Sequence, residues 1–351
     1  EGAIDFQDNS TLLNVRYPTE MLSSLDYVFL WGNSQYDLLK SNINQEDKLI
    51  VTGHPRFELL KKKYHSFYES EVTKLKEQYG DFILINTNMG FGNNIRGDDF
   101  VISGYGDRFP NIKDLIAFDK NKREKFITLI SRLSDEFDDK IILRPHPEEN
   151  INYYNRFFVD KKNVKLIYEG SVIPWLLASK IMIHPDCTTG VESLLLGKKS
   201  ISFLPKSHPD LVTKLPVEAS YQFDNISSII AFIKNPTNFS NDIKYEDYPF
   251  VDNFFSYYSD SIKNVSTQIL TLFPNKGYNL NKLKYKDLFY LKFKSFFSRV
   301  NKKDSLSENK LKGFNYSEMK RIDKDCKKLE SDFSQNKITK ITNKLYLFSN
   351  N

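Results

Sequence analysis

Four of the five histidines in this chain stand directly before a proline: His54, His146, His184 and His208. Proline biases the preceding residue toward an extended backbone, so these histidines are predicted at strand ends rather than inside helices. His146 and His184 follow the apolar runs "KIILR" and "KIMI". Ligands of open parallel sheets bind beyond the carboxyl ends of the strands, and a histidine there can neutralise charge or move a proton. His146 and His184 are therefore predicted catalytic residues, and His54 a cleft residue, while a structural role remains the alternative.

The segment "HPDCTTGVE" follows the second of these runs. Thr188, Thr189 and Gly190 are predicted to form the first turn of a helix, where free N–H groups and hydroxyls would make an anion pocket. A phosphate is the natural guest of such a pocket. Glu192 could accept hydrogen bonds from sugar hydroxyls or close a capping box with a threonine. Cys187 is predicted to be a small packed residue, because no general base is visibly dedicated to it.

The run "FILI" is followed by a long loop rich in glycine and asparagine. Its first residues, Asn86, Thr87, Asn88 and Gly90, permit tight turns and close approach of the backbone to a ligand, and they are assigned to a donor or acceptor cleft. Neither a Walker sequence nor a GxGxxG motif after a first strand occurs, which disfavours ATP hydrolysis and dinucleotide redox chemistry.

Composition narrows the class of protein. The 351 residues are 40% hydrophobic and 27% charged, which is enough for two domains of ordinary size. The net charge of +5 is too small to indicate nucleic acid as a partner. The two cysteines lack metal-type spacing, so no metal site is predicted. No signal peptide and no apolar run of about 18 residues is present, so the predicted location is the cytoplasm.

Strand-length apolar runs alternate with helical patterns, which is typical of βα units and a mainly parallel sheet. Long helices are predicted over 55–79, where Gly80 ends the pattern, over about 120–137, and over 247–273. The segment 87–111 is predicted as a loop. The predicted strands are 27–32, 48–53, 82–86, 140–143, 164–168, 180–183 and 200–204.

Three parts of the chain are distinguished. Residues 1–79 are predicted to form an N-terminal Rossmann-like domain that lacks its opening βα units, and 80–275 a second Rossmann-like domain that binds nucleotide. Residues 276–351 carry a basic amphipathic stretch between Lys282 and Lys303 and one more amphipathic helix toward the end. The apolar face of the basic stretch either packs on the first domain or lies on an anionic membrane surface.

The segments "FLWGNSQYDLL", "VTGHPRFELL", "YGDFILINTNMG", "RPHP" and "CTTGVESLLLGKK" resemble the bacterial surface carbohydrate biosynthesis proteins, which belong to glycosyltransferases of the GT-B type. More distantly they resemble sialyltransferases and capsule Kdo transferases, which use CMP-activated sugars. The resemblance covers most of residues 25–205. It implies an α/β, GT-B-like fold: two Rossmann-like domains face a cleft, and C-terminal helices cross back to the first domain.

The resemblance also implies roles for individual residues. His146 would contact the donor phosphate or assist its departure, Thr188 and Thr189 would bind phosphate or cytidine, and Glu192 the ribose or base. The nucleotide-binding set is Arg144, His146, Pro147, Cys187, Thr188, Thr189, Gly190 and Glu192. A retaining reaction would need a carboxylate nucleophile. The loop acids within reach are Asp98, Asp99, Glu148 and Glu149, of which Glu149 joins the predicted catalytic set.

The implied function is a metal-independent glycosyltransferase without a cofactor, which moves a Kdo-like or nonulosonic acid residue from a CMP-sugar donor to a cell-surface glycan or glycolipid. The enzyme would touch the inner face of the cytoplasmic membrane at most peripherally. The alternatives are a UDP-sugar transferase or epimerase of the same fold, a CDP-polyol phosphotransferase, and a non-catalytic glycan-binding protein.

Overall fold

The computed structural model falls into two compact units, Glu1–Ile269 and Leu270–Asn351. The described residues are Leu13, 17–42, 46–168, 170–204, 211–235, Thr237, 243–272, 316–329, 336–342 and 345–350. His208 and the basic stretch between Lys282 and Lys303 therefore lie outside the described residues.

The elements alternate between strand and helix along most of the first unit. Its strands are β1 (Val28–Leu30), β2 (Leu49–Val51), β3 (Phe82–Asn86), β4 (Lys140–Arg144), β5 (Val164–Leu166), β6 (Ile181–His184), β7 (Ile201–Phe203) and β8 (Tyr221–Phe223). Its helices are α1 (Thr19–Ser23), α2 (Asn33–Lys40), α3 (Pro55–Glu58), α4 (Glu69–Tyr79), α5 (Asp98–Tyr105), α6 (Ile112–Glu136), α7 (Ile151–Asn155), α8 (Val172–Ala178), α9 (Thr189–Leu195), α10 (Lys214–Glu218), α11 (Ile226–Lys234), α12 (Phe250–Phe255) and α13 (Ser261–Leu272), the last of which runs on past Ile269.

Six parallel strands form the main sheet in the order β5-β4-β3-β6-β7-β8. The chain starts at β3, builds outward to β5, then crosses to the other side of β3 and builds outward again to β8. This is the doubly wound order of a Rossmann-like sheet, and its topological switch point lies between β3 and β6. The predicted α/β class with a Rossmann-like parallel sheet is confirmed.

Both faces of this sheet are covered by helices. Ile83 and Ile85 of β3 pack into one core together with Phe126 of α6 and Ile229 of α11. Phe82 and Leu84 face the opposite way and pack with Trp175 of α8 and with Val191 and Leu194 of α9. Because strand side chains alternate between faces, the last residue of β3, Asn86, belongs to the face covered by α8 and α9.

The part of the chain before β3, called the first segment below, carries a second, smaller parallel sheet of β1 and β2. Helices α12 and α13 return to this segment. The Gln35 amide donates to Phe254 O at 3.3 Å, and the Glu58 carboxylate accepts the Ile262 N–H at 2.7 Å. A side chain at Gly32 would lie 2.4 Å from Asn253 O, so only glycine lets α12 approach this closely. The predicted return of C-terminal helices to the first part of the chain is confirmed by residues 250–264.

Two of the predicted long helices are interrupted in the structure. The pattern over 55–79 divides into α3, a 3-10 helix at Lys62–Phe67 and α4, because Glu58 and Lys61 bond to the returning segment at Ile262 and Ser259. The pattern over 247–273 divides into α12 and α13 at Ser256, which has a left-handed backbone with φ 44°. Tertiary contacts override helical periodicity in both places.

Other boundaries also differ from the predictions. The loop predicted over 87–111 contains α5, the long helix α6 begins at Ile112 rather than near 120, and β8 was not predicted. Gly80 ends α4 as expected, with φ 67° and its N–H donating to Lys76 O at 2.9 Å.

The second unit contains the predicted amphipathic helix as α14 (Tyr316–Leu329). It is followed by an antiparallel hairpin of β9 (Asn336–Thr342) and β10 (Leu345–Asn350), which the sequence patterns did not predict. Within the described ranges of both units, no helix has the length and apolar character that a membrane crossing requires.

Candidate functional site

Four buried side-chain atoms of Asn86, Asn88 and Thr189 lack hydrogen-bond partners at the switch point. Asn86 ends β3 and is 3% exposed, yet neither its amide nitrogen nor its amide oxygen has a partner among the described residues. The same holds for Asn88 Oδ1, two residues further on, and for Thr189 Oγ1, at the start of the helix that follows β6. A buried polar atom without a partner costs about 1–3 kcal/mol. Such a concentration at the place where doubly wound sheets bind ligands indicates a binding site.

The side chain of Asn88 is hydrogen-bonded to a buried ion cluster, which consists of Asp186, Lys122 and Asp119. Its amide nitrogen donates to Asp186 Oδ1 at 2.9 Å. The same carboxylate oxygen lies 3.1 Å from Lys122 Nζ, which lies 3.0 Å from Asp119 Oδ1. Asp119 Oδ2 in turn accepts the N–H groups of Phe91 and Gly92, so the cluster anchors the loop that follows β3. All three ionic side chains are buried.

The charges in this cluster stabilise one another. Burial alone would lower the pKa of Lys122, but Asp119 and Asp186 raise it above its usual range. Burial raises the pKa of Asp119, against the opposing pull of Lys122. The lysine therefore stays charged and its charge is fully committed, so it is not available to bind an anion.

Glu149 was predicted to be catalytic, and the structure places its carboxylate away from solvent. It is 1% exposed and accepts the Thr87 hydroxyl at 2.7 Å, the Met89 N–H at 3.1 Å and the His146 N–H at 3.0 Å. Tyr154 donates to its other oxygen. Burial raises the pKa of this carboxyl against the effect of these bonds. Glu149 thus ties the loop after β3 to the loop after β4, which is a positioning role rather than the predicted direct one.

His146 lies in the loop after β4, partly exposed, and adjoins the loop that follows β3. A Cβ atom at Gly90 would lie 3.6 Å from His146 Nδ1 and 3.7 Å from the Glu148 carboxylate. His146 Nδ1 accepts the Glu148 N–H at 3.3 Å, and the Tyr168 hydroxyl donates to His146 O at 2.7 Å. Because Nδ1 is an acceptor, the neutral ring carries its proton on Nε2.

His184, the other predicted catalytic histidine, is fully buried. Its Nε2 lies 2.9 Å from the Ser220 hydroxyl and 3.2 Å from the Ser200 hydroxyl, and its Nδ1 accepts the Cys187 N–H at 3.2 Å. Burial lowers the pKa of His184 to about 4. A neutral imidazole with both nitrogens engaged and no exposed surface is structural, so the catalytic prediction for His184 is corrected.

The turn between β6 and α9 forms where it was predicted, and α9 begins at Thr189. The predicted pocket of free N–H groups is only partly present, because the Gly190 N–H donates to Cys187 O at 2.9 Å. A Cβ atom at Gly190 would lie 2.5 Å from the His184 ring, so glycine is needed there for packing. Cys187 is buried, and burial raises the pKa of its thiol to about 11. Of this segment, Thr188 is exposed and Thr189 is partly exposed.

Glu192 is engaged by an arginine in this structure. Its buried carboxylate accepts a hydrogen bond from Arg56 Nη2 at 2.6 Å, and Arg56 belongs to the first segment of the chain. Burial raises the pKa of Glu192, and Arg56 opposes that rise. The neighbouring His54 begins α3, accepts the Arg56 N–H on Nδ1 at 3.1 Å and packs its ring on Trp31 and Phe57. Burial lowers the pKa of His54 to about 4.

Arg144 ends β4 at the level of Asn86 in the neighbouring strand. Its guanidinium lies 4.9 Å from the ring centroid of Trp175 and donates to Gly170 O at 3.0 Å. Pro147 is partly exposed beside His146. The structure therefore brings together Asn86, Thr87, Asn88, Gly90, His146 and Thr189 around the ends of β3, β4 and β6, while His184, Glu149 and Glu192 lie buried behind them.

Sequence reasoning missed Asp186, Lys122, Asp119 and Arg56. Asp186 stands in the segment "HPDCTTGVE", and its position between a strand-end histidine and a helix start was an available signal. Lys122 and Asp119 have the i,i+3 spacing of an ordinary helical ion pair, and only the tertiary structure reveals their burial. No group of three or more His, Cys, Asp or Glu side chains suited to a metal ion occurs within the described ranges. The metal-free prediction stays a prediction.

No protein-family model matches the chain. No curated protein matches it either. Among solved structures, the chain is similar to the UDP-GlcNAc 2-epimerase of Methanocaldococcus jannaschii in complex with UDP-GlcNAc and UDP, at 17% identity over 69% of this chain and 61% of that one, with a TM-score of 0.44. It is also similar to a variant of the wall teichoic acid polymerase TagF, at 14% identity over 72% of this chain and 61% of that one, with a TM-score of 0.46. The chain thus spans about three fifths of the length of these solved chains.

Proposed function

We propose that this chain is a cytoplasmic GT-B-type glycosyltransferase that moves a sugar from a CMP-activated donor to a cell-surface glycan or glycolipid acceptor. The observation that carries the proposal is the set of buried, unpartnered polar atoms of Asn86, Asn88 and Thr189 at the switch point between β3 and β6. A nucleotide offers the hydroxyls, amines and carbonyls that such atoms bind. The CMP donor is the part that the resemblance of the sequence motifs contributes.

In the proposed reaction, the bond between the anomeric carbon and the donor phosphate oxygen breaks, and CMP departs. The acceptor hydroxyl oxygen forms the new glycosidic bond and loses its proton. His146 Nε2–H is the donor that neutralises charge on the departing phosphate, because Nδ1 is engaged by the Glu148 N–H. Arg144 supplies positive charge at the level of Asn86 in the adjacent strand.

Glu148 is the loop acid to which we assign activation of the acceptor. Glu149 is buried within its hydrogen bonds, and Asp98 forms an ion pair with Lys120. Glu148 is partly exposed and stands beside Gly90 and His146, where its carboxylate accepts the Tyr105 hydroxyl at 3.4 Å. A carboxylate that takes the proton of the acceptor hydroxyl, next to a histidine N–H that hydrogen-bonds to the departing phosphate, suits the two roles that the reaction requires.

The first test is calorimetric titration with CMP, CDP, UDP and GDP in parallel. A ligand at 100 times its dissociation constant raises the free energy of unfolding by about 2.7 kcal/mol, which a melting shift detects. Selective binding of CMP that weakens in Asn86→Leu is the expected result. Preference for UDP would replace the donor assignment by a UDP-sugar transferase or epimerase. Absence of binding by all four nucleotides would contradict the proposal. Asn155→Leu, an exposed position on α7, is the control variant.

A further inference from the structure

Asn88 is fixed in orientation by its neighbours. An amide group has a donor end and an acceptor end, and either can face a ligand unless something selects between them. Asp186 makes that selection, because an ionised carboxylate accepts hydrogen bonds and its Oδ1 lies 2.9 Å from the Asn88 amide nitrogen. Turning the amide over would set its oxygen against the carboxylate. Asn88 Oδ1 therefore faces away from Asp186, and it is buried without a partner among the described residues.

Asp186 is itself held in place from two sides. Its Oδ1 bonds to Lys122 Nζ at 3.1 Å, and its Oδ2 accepts the Thr213 N–H at 3.1 Å. Lys122 cannot swing away, because Asp119 holds it at 3.0 Å and its side chain is buried. Asn88 is thus a rigid acceptor whose orientation is set by the buried ion cluster.

The charge behind Asn88 favours a particular kind of ligand group. Lys122 carries one positive charge against two carboxylates, so the cluster has no surplus positive charge to attract a phosphate. The carboxylate of Asp186 makes the surroundings of Asn88 Oδ1 more negative and therefore better suited to an O–H or N–H group. The adjacent Asn86, with its donor and acceptor both unpartnered, completes a neutral polar surface.

We infer that Asn88 is a specificity-determining residue that accepts a hydrogen bond from a hydroxyl or amine on the nucleoside part of the ligand, and that Lys122, Asp119 and Asp186 are its positioning residues. This inference rests on the proposed function, since it names the part of the nucleotide that one residue of the same site reads. The nucleoside hydroxyls and the cytosine amine share the donor chemistry that Asn88 requires. Removing the matching donor from the ligand, or the acceptor from the protein, leaves one buried group unpaired.

The experiment compares CMP with 2′-deoxy-CMP and 3′-deoxy-CMP, which each lack one hydroxyl donor, and with UMP, in which a carbonyl replaces the cytosine amine and N3 carries a hydrogen. UDP and its two deoxy forms serve as a parallel set. Calorimetry on the wild-type protein is expected to show that one analogue binds about tenfold more weakly than its parent nucleotide. In Asn88→Leu, the parent nucleotide is expected to lose about tenfold in affinity and the analogue to lose almost nothing, so that the discrimination disappears.

Asp186→Asn tests the positioning step, because an amide at 186 no longer dictates which end of the Asn88 amide faces the ligand. Its discrimination ratio is expected to fall below that of the wild-type protein, and Asn155→Leu is expected to keep the wild-type ratio. If Asn88→Leu does not fold, Asp186→Asn carries the same comparison. Failure of every parent nucleotide to bind the wild-type protein would contradict the proposed function. Parent nucleotides that bind as well as all their analogues, or a ratio unchanged in both variants, would overturn the inference about Asn88 alone.

Discussion

Arg56 and Glu192 form an ion pair that links the first segment of the chain to helix α9 of the main sheet. The atoms Arg56 Nη2 and Glu192 Oε1 are 2.6 Å apart, and the arginine side chain is 46% exposed while the glutamate side chain is 4% exposed. The two partners of this ion pair therefore differ in their exposure to solvent. Loss of the arginine strands a buried carboxylate, whereas loss of the glutamate charge leaves a cation that can reach water.

Because of this difference in exposure, the two residues are expected to contribute unequally to the free energy of unfolding. Arg56→Met is expected to lower the free energy of unfolding by about 2 kcal/mol at pH 8, less than for a fully buried pair because Arg56 is half-exposed. Glu192→Gln is expected to lower it by less. Since burial raises the pKa of Glu192, the carboxyl of Arg56→Met takes up a proton as the pH falls, and the loss should shrink at pH 5. Urea unfolding at both pH values checks this, and equal losses in the two variants would contradict it.

A second prediction concerns the buried ion cluster. Lys122→Met is expected to lower the free energy of unfolding by about 3–5 kcal/mol, because Asp119 and Asp186 would be left buried without a cation. Lys120→Met is the matched control: it lies on the same helix, but its ion pair with Asp98 is exposed, so a change within about 1 kcal/mol is expected. Urea unfolding of both variants measures the two losses in free energy of unfolding. Similar losses for the two lysines would show that burial does not determine their size.

The contrast between these two lysines shows what the sequence could predict and what it could not. Seven of the eight strands of the first unit were predicted from their apolar runs, so the sheet, its βα units and the position of Asn86, His146 and Thr189 at its edge followed from apolar periodicity. Burial of Lys122 depends on how α6 packs against the loop after β3. The bond from Lys122 to Asp186, in the turn after β6, joins residues 64 positions apart, and no local pattern encodes it.

The ends of the helices also depend on contacts between residues that are far apart in the sequence. Periodicity predicted one helix over 55–79, but the buried Glu58 carboxylate is recruited by the Ile262 N–H, 204 residues away, and the helix ends there. The two histidine-proline segments were equivalent in sequence. Only the structure separates the partly exposed His146 from the fully buried His184, because helices α9 and α10 close over one strand end and not over the other.

A third prediction uses the pKa of His184. Its folded-state value is about 4, against an ordinary value of 6.5. The unfolded chain therefore binds a proton at higher pH than the folded one, so stability from this group is complete above pH 6.5 and is lost as the pH falls toward 4. The full loss is about 3 kcal/mol.

Urea unfolding at pH 7, 6, 5 and 4.5 measures this effect as a difference between the wild-type protein and His184→Gln. The raised pKa values of Glu149 and Glu192 act in the opposite direction, but they are common to both proteins and cancel in the difference. The variant is expected to start from lower stability at pH 7 and to lose less on acidification. Parallel curves over the whole range would show that His184 is not held neutral.

The last prediction separates binding from chemistry at the two ends of the proposed site. Thr189→Val removes a buried hydroxyl and is expected to raise KM for a CMP-sugar donor about tenfold with little change in kcat, because its contact is made in ground state and transition state alike. His146→Ala is expected to lower kcat about 100-fold, because its Nε2–H acts on charge that develops as the phosphate departs. CMP-activated Kdo and CMP-activated sialic acid are the donor probes, and calorimetry with CMP supplies affinities independent of turnover. Thr128→Val, an exposed hydroxyl on α6 that bonds only to its own helix at Glu124 O, is the control. An equal loss of kcat in both variants would show that Thr189 also takes part in the chemical step. Unchanged kcat and KM in both would contradict a site at the ends of β3, β4 and β6.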